Sequence, residues 1–245
     1  LTMHSVGNTP RNHGFYPMIE ELFELSPPYP AANMEPYYPG WDSPYHNTVA
    51  GERPEVNSDR DNYFARAQMY GSVLSGGLAG HIYGTGAYCG NTTGEPRNQG
   101  ERPYIWEGLS YPSGAEMQFL AEFILSEGVS YQHCIPSRTL LEPHKAADAP
   151  EKGLDGWSFL LLDPEKELGF LYFENKCEIP VIRGLLPERT YELNWFDPMN
   201  GNWIMGEDQI VQSNGQGNIS LQGFPGGAGR SSRDYCLKIK VHDSE

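Results

Sequence analysis

Two short apolar runs, each ending in polar or charged side chains, bracket a single amphipathic helix, and this order constrains the fold more than any other feature of the chain. The first run is Tyr29-Pro30-Ala31-Ala32, leading into Asn33-Met34-Glu35-Pro36; the second closes with Gly80-His81-Ile82-Tyr83-Gly84. Between them the pattern predicts a helix from about Asp59 to Ser75. Ser58 can cap it, with Asp61 three residues on, and Tyr63, Ala67, Tyr70 and Leu74 recur at three- and four-residue intervals as one buried stripe. Gly76-Gly77 ends it. Strand, carboxylate, loop, helix, strand, loop is the alternation of a parallel sheet, and in a (β/α) barrel it gathers reactive groups at the C-terminal ends of the strands.

The flanking sequence extends the pattern. Leu1 to Ser5 reads as a strand, and Met18 to Phe23 as a short helix stopped by Pro27, Pro28 and Pro30. Trp41–Asn57 and Gly84–Pro112, the latter carrying Trp106, read as long loops, a class that tends to be functional. Ser113 and Glu116 predict a capping box for a helix with Met117, Leu120 and Ile124 on one face. Residues 1–142 are therefore expected to form the C-terminal part of a (β/α)8 TIM barrel. Pro143 to Gly156 reads as a linker. Residues 150–245 are expected to form a small antiparallel β-sandwich, with strands over Trp157–Leu162, Gly169–Glu174, Thr190–Phe196, Asn202–Met205, Asn218–Leu221 and Tyr235–Val241. Asn200-Gly201 is a strong hairpin signal. The fold class is thus α/β followed by all-β.

At 245 residues the chain can build two cores. Its net charge of −15, with Arg97, Arg102, Arg138 and Lys145 scattered, argues against nucleic-acid binding, which needs clustered Lys and Arg. No run approaches the roughly 20 apolar residues of a membrane span, so no membrane partner is expected. Cys89, Cys134, Cys177 and Cys236 lack CxxC spacing and no His/Glu spacing suits a metal, so neither metal nor cofactor is expected. Cys177 and Cys236, in or beside predicted strands, are either a pair or isolated buried thiols. Nothing in the sequence fixes a cellular location.

Glycoside hydrolysis uses two carboxyl groups, one as acid/base and one as nucleophile or base. Glu35 is the best candidate for one of them, because it should sit at a strand's C-terminal end with Pro36 turning the chain outward after it. Asn33 could orient Glu35 or bond a sugar. His81 and Tyr83 alternate along one strand and so share a face, where both could bond ring hydroxyls. His4, at the end of the first strand, resembles His81 in placement. Tyr37, Tyr38, Trp41 and Trp106 are candidate platforms for a carbohydrate substrate. The alternatives are a structural ion pair for Glu35, a core histidine at position 81, and ordinary loop packing for some of the aromatics. Asp42, Glu52, Glu55 and Asp59 read as a solvated rim.

The segments Pro28–Tyr38 and Ser72–Gly84 resemble the apiosidase-like barrel family of glycoside hydrolases. Ser75-Gly76-Gly77-Leu78-Ala79-Gly80-His81-Ile82-Tyr83-Gly84 is the most specific part. Trp195-Phe196-Asp197-Pro198-Met199-Asn200-Gly201 resembles the small collagen-binding-type β-domain that follows these barrels. The resemblance implies a retaining glycosidase acting on polysaccharide side chains or oligosaccharides, with its nucleophile after the seventh strand, which maps onto Glu35. The family's acid/base follows the fourth strand. It is therefore expected upstream, in the N-terminal barrel half of the same polypeptide, and this chain alone is expected to be inactive. The rival reading is a non-catalytic carbohydrate- or matrix-binding protein that uses its β-sandwich.

Overall fold

A computed structural model describes residues 3–7, 11–26, 29–40, 49–86, 105–147, 153–206 and 209–242. It divides into two compact units. Leu1–Val73, Gly77–Gln118 and Pro150–Leu154 form the first; Leu74–Gly76, Phe119–Ala149 and Asp155–Glu245 form the second.

In the first unit β1 (His4–Val6), β2 (Ala31–Asn33) and β3 (Gly80–His81) pair parallel in that order, with His4 level with Ala31, and Val6, Asn33 and His81 level with one another. Helix α1 (Tyr16–Phe23) connects the first pair and α2 (Asp59–Leu74) the second, as parallel pairing demands. The parallel order matches the sequence reading, but β3 is shorter than Leu78–Tyr83. A turn closes from the Gly80 N–H to the Gly77 carbonyl, and Gly80 adopts φ +108°, while the Ala79 N–H still donates to the Ala31 carbonyl of β2 at 2.9 Å.

Helix α2 departs from its predicted single stripe. Every residue from Asp61 to Val73 is buried, including Asn62, Arg66, Gln68 and Ser72. The physical reason is that Asn62, Arg66, Gln68 and Ser72 each have a partner. Ser72 Oγ accepts from Asn33 at 3.0 Å, Gln68 accepts the Tyr37 N–H, and Arg66 pairs with Glu116 at 2.8 Å. The cap forms as expected, Ser58 Oγ accepting the Asp61 N–H at 3.2 Å. Gly71 lets α1 approach, since a Cβ there would lie 2.5 Å from the Tyr16 ring.

The short helix α3 (Ile105–Gly108) holds Trp106, where a loop was expected. Helix α4 (Pro112–Ile124) starts at a proline, whose missing N–H costs nothing there. The expected Ser113–Glu116 capping box is absent. Ser113 lies inside the helix and its hydroxyl donates to Asn62 Oδ1 at 2.6 Å, while Glu116 pairs with Arg66.

The second unit contains two antiparallel sheets. Its strands are β4 (Ile135–Pro136), β5 (Leu141–Glu142), β6 (Ser158–Leu162), β7 (Leu168–Phe173), β8 (Val181–Ile182), β9 (Thr190–Asp197), β10 (Asn202–Trp203), β11 (Gln209–Gln212), β12 (Ile219–Ser220) and β13 (Tyr235–Val241). The larger sheet runs β10-β9-β13-β7-β6-β4 with β11 also beside β9; the smaller runs β12-β8-β5. The unit thus takes up residues that the sequence reading places before the linker.

Both β6 and β7 are buried at every position, and their continuous apolar runs follow from cover on both faces. Leu160, Leu171, Leu237 and Trp195 lie level across the large sheet and share a core with Leu141, Ile182 and Ile219 of the small one. On the other face Phe123 packs on Phe170 and Phe196, with ring centroids 5.5 and 5.4 Å away. Cys177 and Cys236, a candidate pair by sequence, are both buried and are not joined in a disulfide.

The β9–β10 turn explains the Trp195–Gly201 motif locally. Asp197 Oδ1 accepts the Met199 and Asn200 N–H groups at 3.0 and 3.3 Å, and Oδ2 accepts Asn200 Nδ2 at 2.8 Å and pairs with Arg233 at 2.9 Å.

Candidate active site

Asn33 ends β2 as a fully buried side chain bridging two elements. Its amide donates to Ser72 on α2, and its Oδ1 accepts the Glu35 N–H at 3.2 Å. The bond fixes the turn that presents Glu35, which is half-buried just beyond the strand's C-terminal end. Gly7, just past β1, borders the carboxylate: a Cβ there would lie 3.1 Å from Glu35 Cβ and 3.7 Å from Oε2.

Two further side chains complete these surroundings. Arg11 Nε donates to the Pro36 carbonyl at 2.8 Å, and its guanidinium lies 5.6 Å from the Tyr38 ring centroid. Gly84, beyond β3, approaches the same ring so closely that a Cβ would lie 2.7 Å from Tyr38 Cε1. The connections after all three strands therefore meet around Glu35 and Tyr38. Burial and the Glu35 charge raise the Tyr38 pKa, with Arg11 opposing them, so the phenol is neutral at ordinary pH.

His81 is level with Asn33, and level residues of parallel neighbours share a face, so it belongs to the α2 side of the sheet. Burial lowers its pKa to about 3, and Nδ1 is buried without a partner. The Tyr83 hydroxyl lies 3.1 Å from Ser113 Oγ, which is itself bonded to Asn62 of α2. Both residues thus turn toward the helices.

His4 begins β1 rather than ending it. It lies level with Ala31, two residues before the position level with Asn33, and meets the Tyr29 ring edge-on at 5.5 Å. Its placement is at the N-terminal end of the sheet, away from Glu35, which corrects the expectation. Tyr37 is 1% exposed and donates to Asp61 at 2.6 Å, leaving no ring face on which a sugar could stack. Trp106 is 51% exposed on α3, and Trp41 lies outside the described residues.

The sequence reading missed Arg11, whose contact with Pro36 spans 25 residues and leaves no periodic signal. It also read Asp61 only as a capping partner. Asp61 accepts from Tyr37, Gly40 and Asn57, so it anchors the loop that follows Glu35.

Comparison with known proteins places this geometry in a family. No curated protein matches the sequence significantly. A solved structure described as a glycoside hydrolase superposes with a TM-score of 0.70 at 13% identity, covering 99% of this chain and 53% of its own. A glycoside hydrolase family 5 structure from Bacteroides vulgatus ATCC 8482 gives 0.68 at 14% identity, covering 98% and 50%. The chain shares their fold and spans about half the length of each. The family model described as apiosidase-like, catalytic domain, matches residues 2–130, more than half of the chain. The chain belongs to the apiosidase-like family, and it is the catalytic domain of that family that holds Glu35.

Proposed function

We propose that this chain is part of a retaining glycoside hydrolase acting on polysaccharide side chains or oligosaccharides, with Glu35 as the nucleophile. The observation that carries the reading is the position of Glu35. It is a half-buried carboxylate just past the C-terminal end of the middle parallel strand, fixed by Asn33 and bordered by Gly7. Membership of a family with an apiosidase-like catalytic domain supports the chemistry. Asn33 then acts as an orienting residue and Trp106 as an exposed platform at the rim.

The parallel strands belong, on this reading, to a TIM barrel whose other strands and acid/base carboxylate lie in the N-terminal half of the same polypeptide. Exposed Met3, Met34 and Ile82 beside the strands support it, because parallel sheets have both faces covered. The two antiparallel sheets of the second unit form its β-sandwich accessory domain. Binding through that domain without catalysis is less well supported, since no aromatic of the second unit is exposed among the described residues.

The test uses the full-length protein and a panel of p-nitrophenyl glycosides. Glu35→Gln is expected to lower turnover by at least about a thousandfold. A 2-deoxy-2-fluoro glycoside should label the peptide carrying Glu35. Undiminished turnover in the variant would refute the assignment.

A further inference from the structure

We propose that Asn214 is a site of spontaneous deamidation, because the loop between β11 and β12 leaves its side chain open to the Gly215 nitrogen. The chain's other Asn-Gly pair, Asn200-Gly201, is locked against the same reaction.

Both asparagines are exposed and both lie in connections between strands, so neither exposure nor sequence separates them. The chemistry does. The amide nitrogen of the following glycine attacks the asparagine Cγ and gives up its proton to hydroxide, while the Cγ–Nδ2 bond breaks and ammonia leaves. Water then opens the resulting five-membered imide at either carbonyl, to aspartate or isoaspartate. The reaction needs a backbone N–H released from other bonds, a carbonyl oxygen that can carry negative charge, and an amide nitrogen that can depart.

At Asn200 the first and third needs are not met. The Gly201 N–H donates to the Asp197 carbonyl at 2.9 Å, and Asn200 Nδ2 donates to Asp197 Oδ2 at 2.8 Å. One aspartate thus holds both the attacking and the leaving nitrogen. At Asn214 all three needs are met. Among the described residues the Gly215 N–H has no acceptor and Asn214 Nδ2 has no partner, and a Cβ at Gly215 would meet only Glu188 Oε1, at 3.9 Å. Asn214 Oδ1 accepts the Gln216 and Asn218 N–H groups at 2.9 and 3.0 Å. Two backbone donors on the oxygen that becomes negative stabilise the tetrahedral intermediate as an oxyanion hole does.

The product changes the loop. Either outcome adds a carboxylate to a turn that borders Glu188, and isoaspartate also lengthens the main chain. That main chain is bonded at both ends of the turn, Asn214 N–H to the Asn218 carbonyl at 3.0 Å and Gly217 N–H to the Asn214 carbonyl at 2.8 Å.

The experiment incubates the full-length protein in 18O-water at mildly alkaline pH. Peptide mapping with electron-transfer fragmentation locates the label and separates isoaspartate from aspartate. In the folded protein, label should enter at position 214 at least about tenfold faster than at position 200. In the chain unfolded by guanidinium the two rates should converge, because only the folded structure distinguishes the two pairs. Equal labelling of the two positions in the folded protein overturns the proposal, as does a folded protein unlabelled at position 214. A preference for position 214 that persists undiminished in guanidinium overturns it too, since local sequence would then set the difference.

Discussion

The Tyr37 hydroxyl donates to the Asp61 carboxylate at 2.6 Å, and the same carboxylate accepts the Gly40 and Asn57 N–H groups at 2.7 and 2.8 Å. One side chain in the first turn of α2 thus fixes the loop after Glu35 and the turn before the helix. Asp61→Asn keeps the shape but removes the charge from all three bonds and, with its amide oxygen on the two N–H groups, sets an N–H2 against the Tyr37 hydroxyl, which must then accept. The expected loss is about 2–4 kcal/mol of stability, against about 1 kcal/mol for Tyr37→Phe, measured by urea unfolding. An Asp61→Asn variant as stable as the parent would show that water replaces these bonds.

His81 makes stability pH-dependent in a definite direction. Its folded pKa of about 3 lies below the ordinary value of 6.5, so the unfolded chain binds the proton first. Its contribution is therefore complete above about pH 6.5 and declines as pH falls toward 3, by up to about 1.4 kcal/mol per pH unit. Unfolding free energies measured from pH 7 to pH 4 should fall less steeply in His81→Asn than in the parent. Identical slopes would mean that the imidazole is hydrated in the folded state.

Glu127 behaves in the same sense for a different reason. Burial would raise its pKa, but the Lys238 and Lys240 ammonium groups, at 2.7 and 2.8 Å, outweigh that and hold it below the ordinary range. The pairing is present above the unfolded carboxylate value and is lost as pH falls through the lower folded one. Glu127→Gln should cost about 1–2 kcal/mol at neutral pH, mostly through Lys238, which is the more buried of the two lysines. The difference from the parent should vanish near pH 2 in denaturant titrations.

Gly201 and Gly206 offer a controlled comparison of backbone strain and crowding. Both adopt positive φ, +68° and +84°, but a Cβ at Gly201 would lie 2.3 Å from the Phe119 ring, whereas one at Gly206 would meet nothing within 4 Å. Gly206→Ala should cost about 1 kcal/mol, the conformational term alone. Gly201→Ala should cost about 1–3 kcal/mol more, because Phe119 must move. Equal costs would show that the ring yields freely.

What was legible in the sequence is what local chemistry determines. Asn200-Gly201 announced the β9–β10 hairpin because a tight turn is specified by its own residues. The order β1-β2-β3 followed from the helices that parallel strands require. By contrast, β4, β5 and β8 are two residues long and exist because a partner strand lies beside them, so no periodicity marks them. Alternation predicts one shared face for His81 and Tyr83, but β3 ends at His81, and only the Asn33–Ser72 bond reveals that the face His81 takes is the one α2 covers. Tyr37 and Tyr38 are adjacent and chemically alike. The first is buried against Asp61 and the second lies under the Arg11 guanidinium, a distinction made entirely by contacts distant in sequence.

The place of β13 in the large sheet has a consequence for the chain during synthesis. It lies between β7 and β9, yet it follows both in sequence. While the ribosome is still making the segment before Tyr235, the sheet has a gap at its centre. Leu171 and Trp195 face that gap without Leu237 between them, and two unpaired strand edges stand open. The second unit therefore closes only after β13 emerges, and the nascent chain until then is a species for a chaperone to hold.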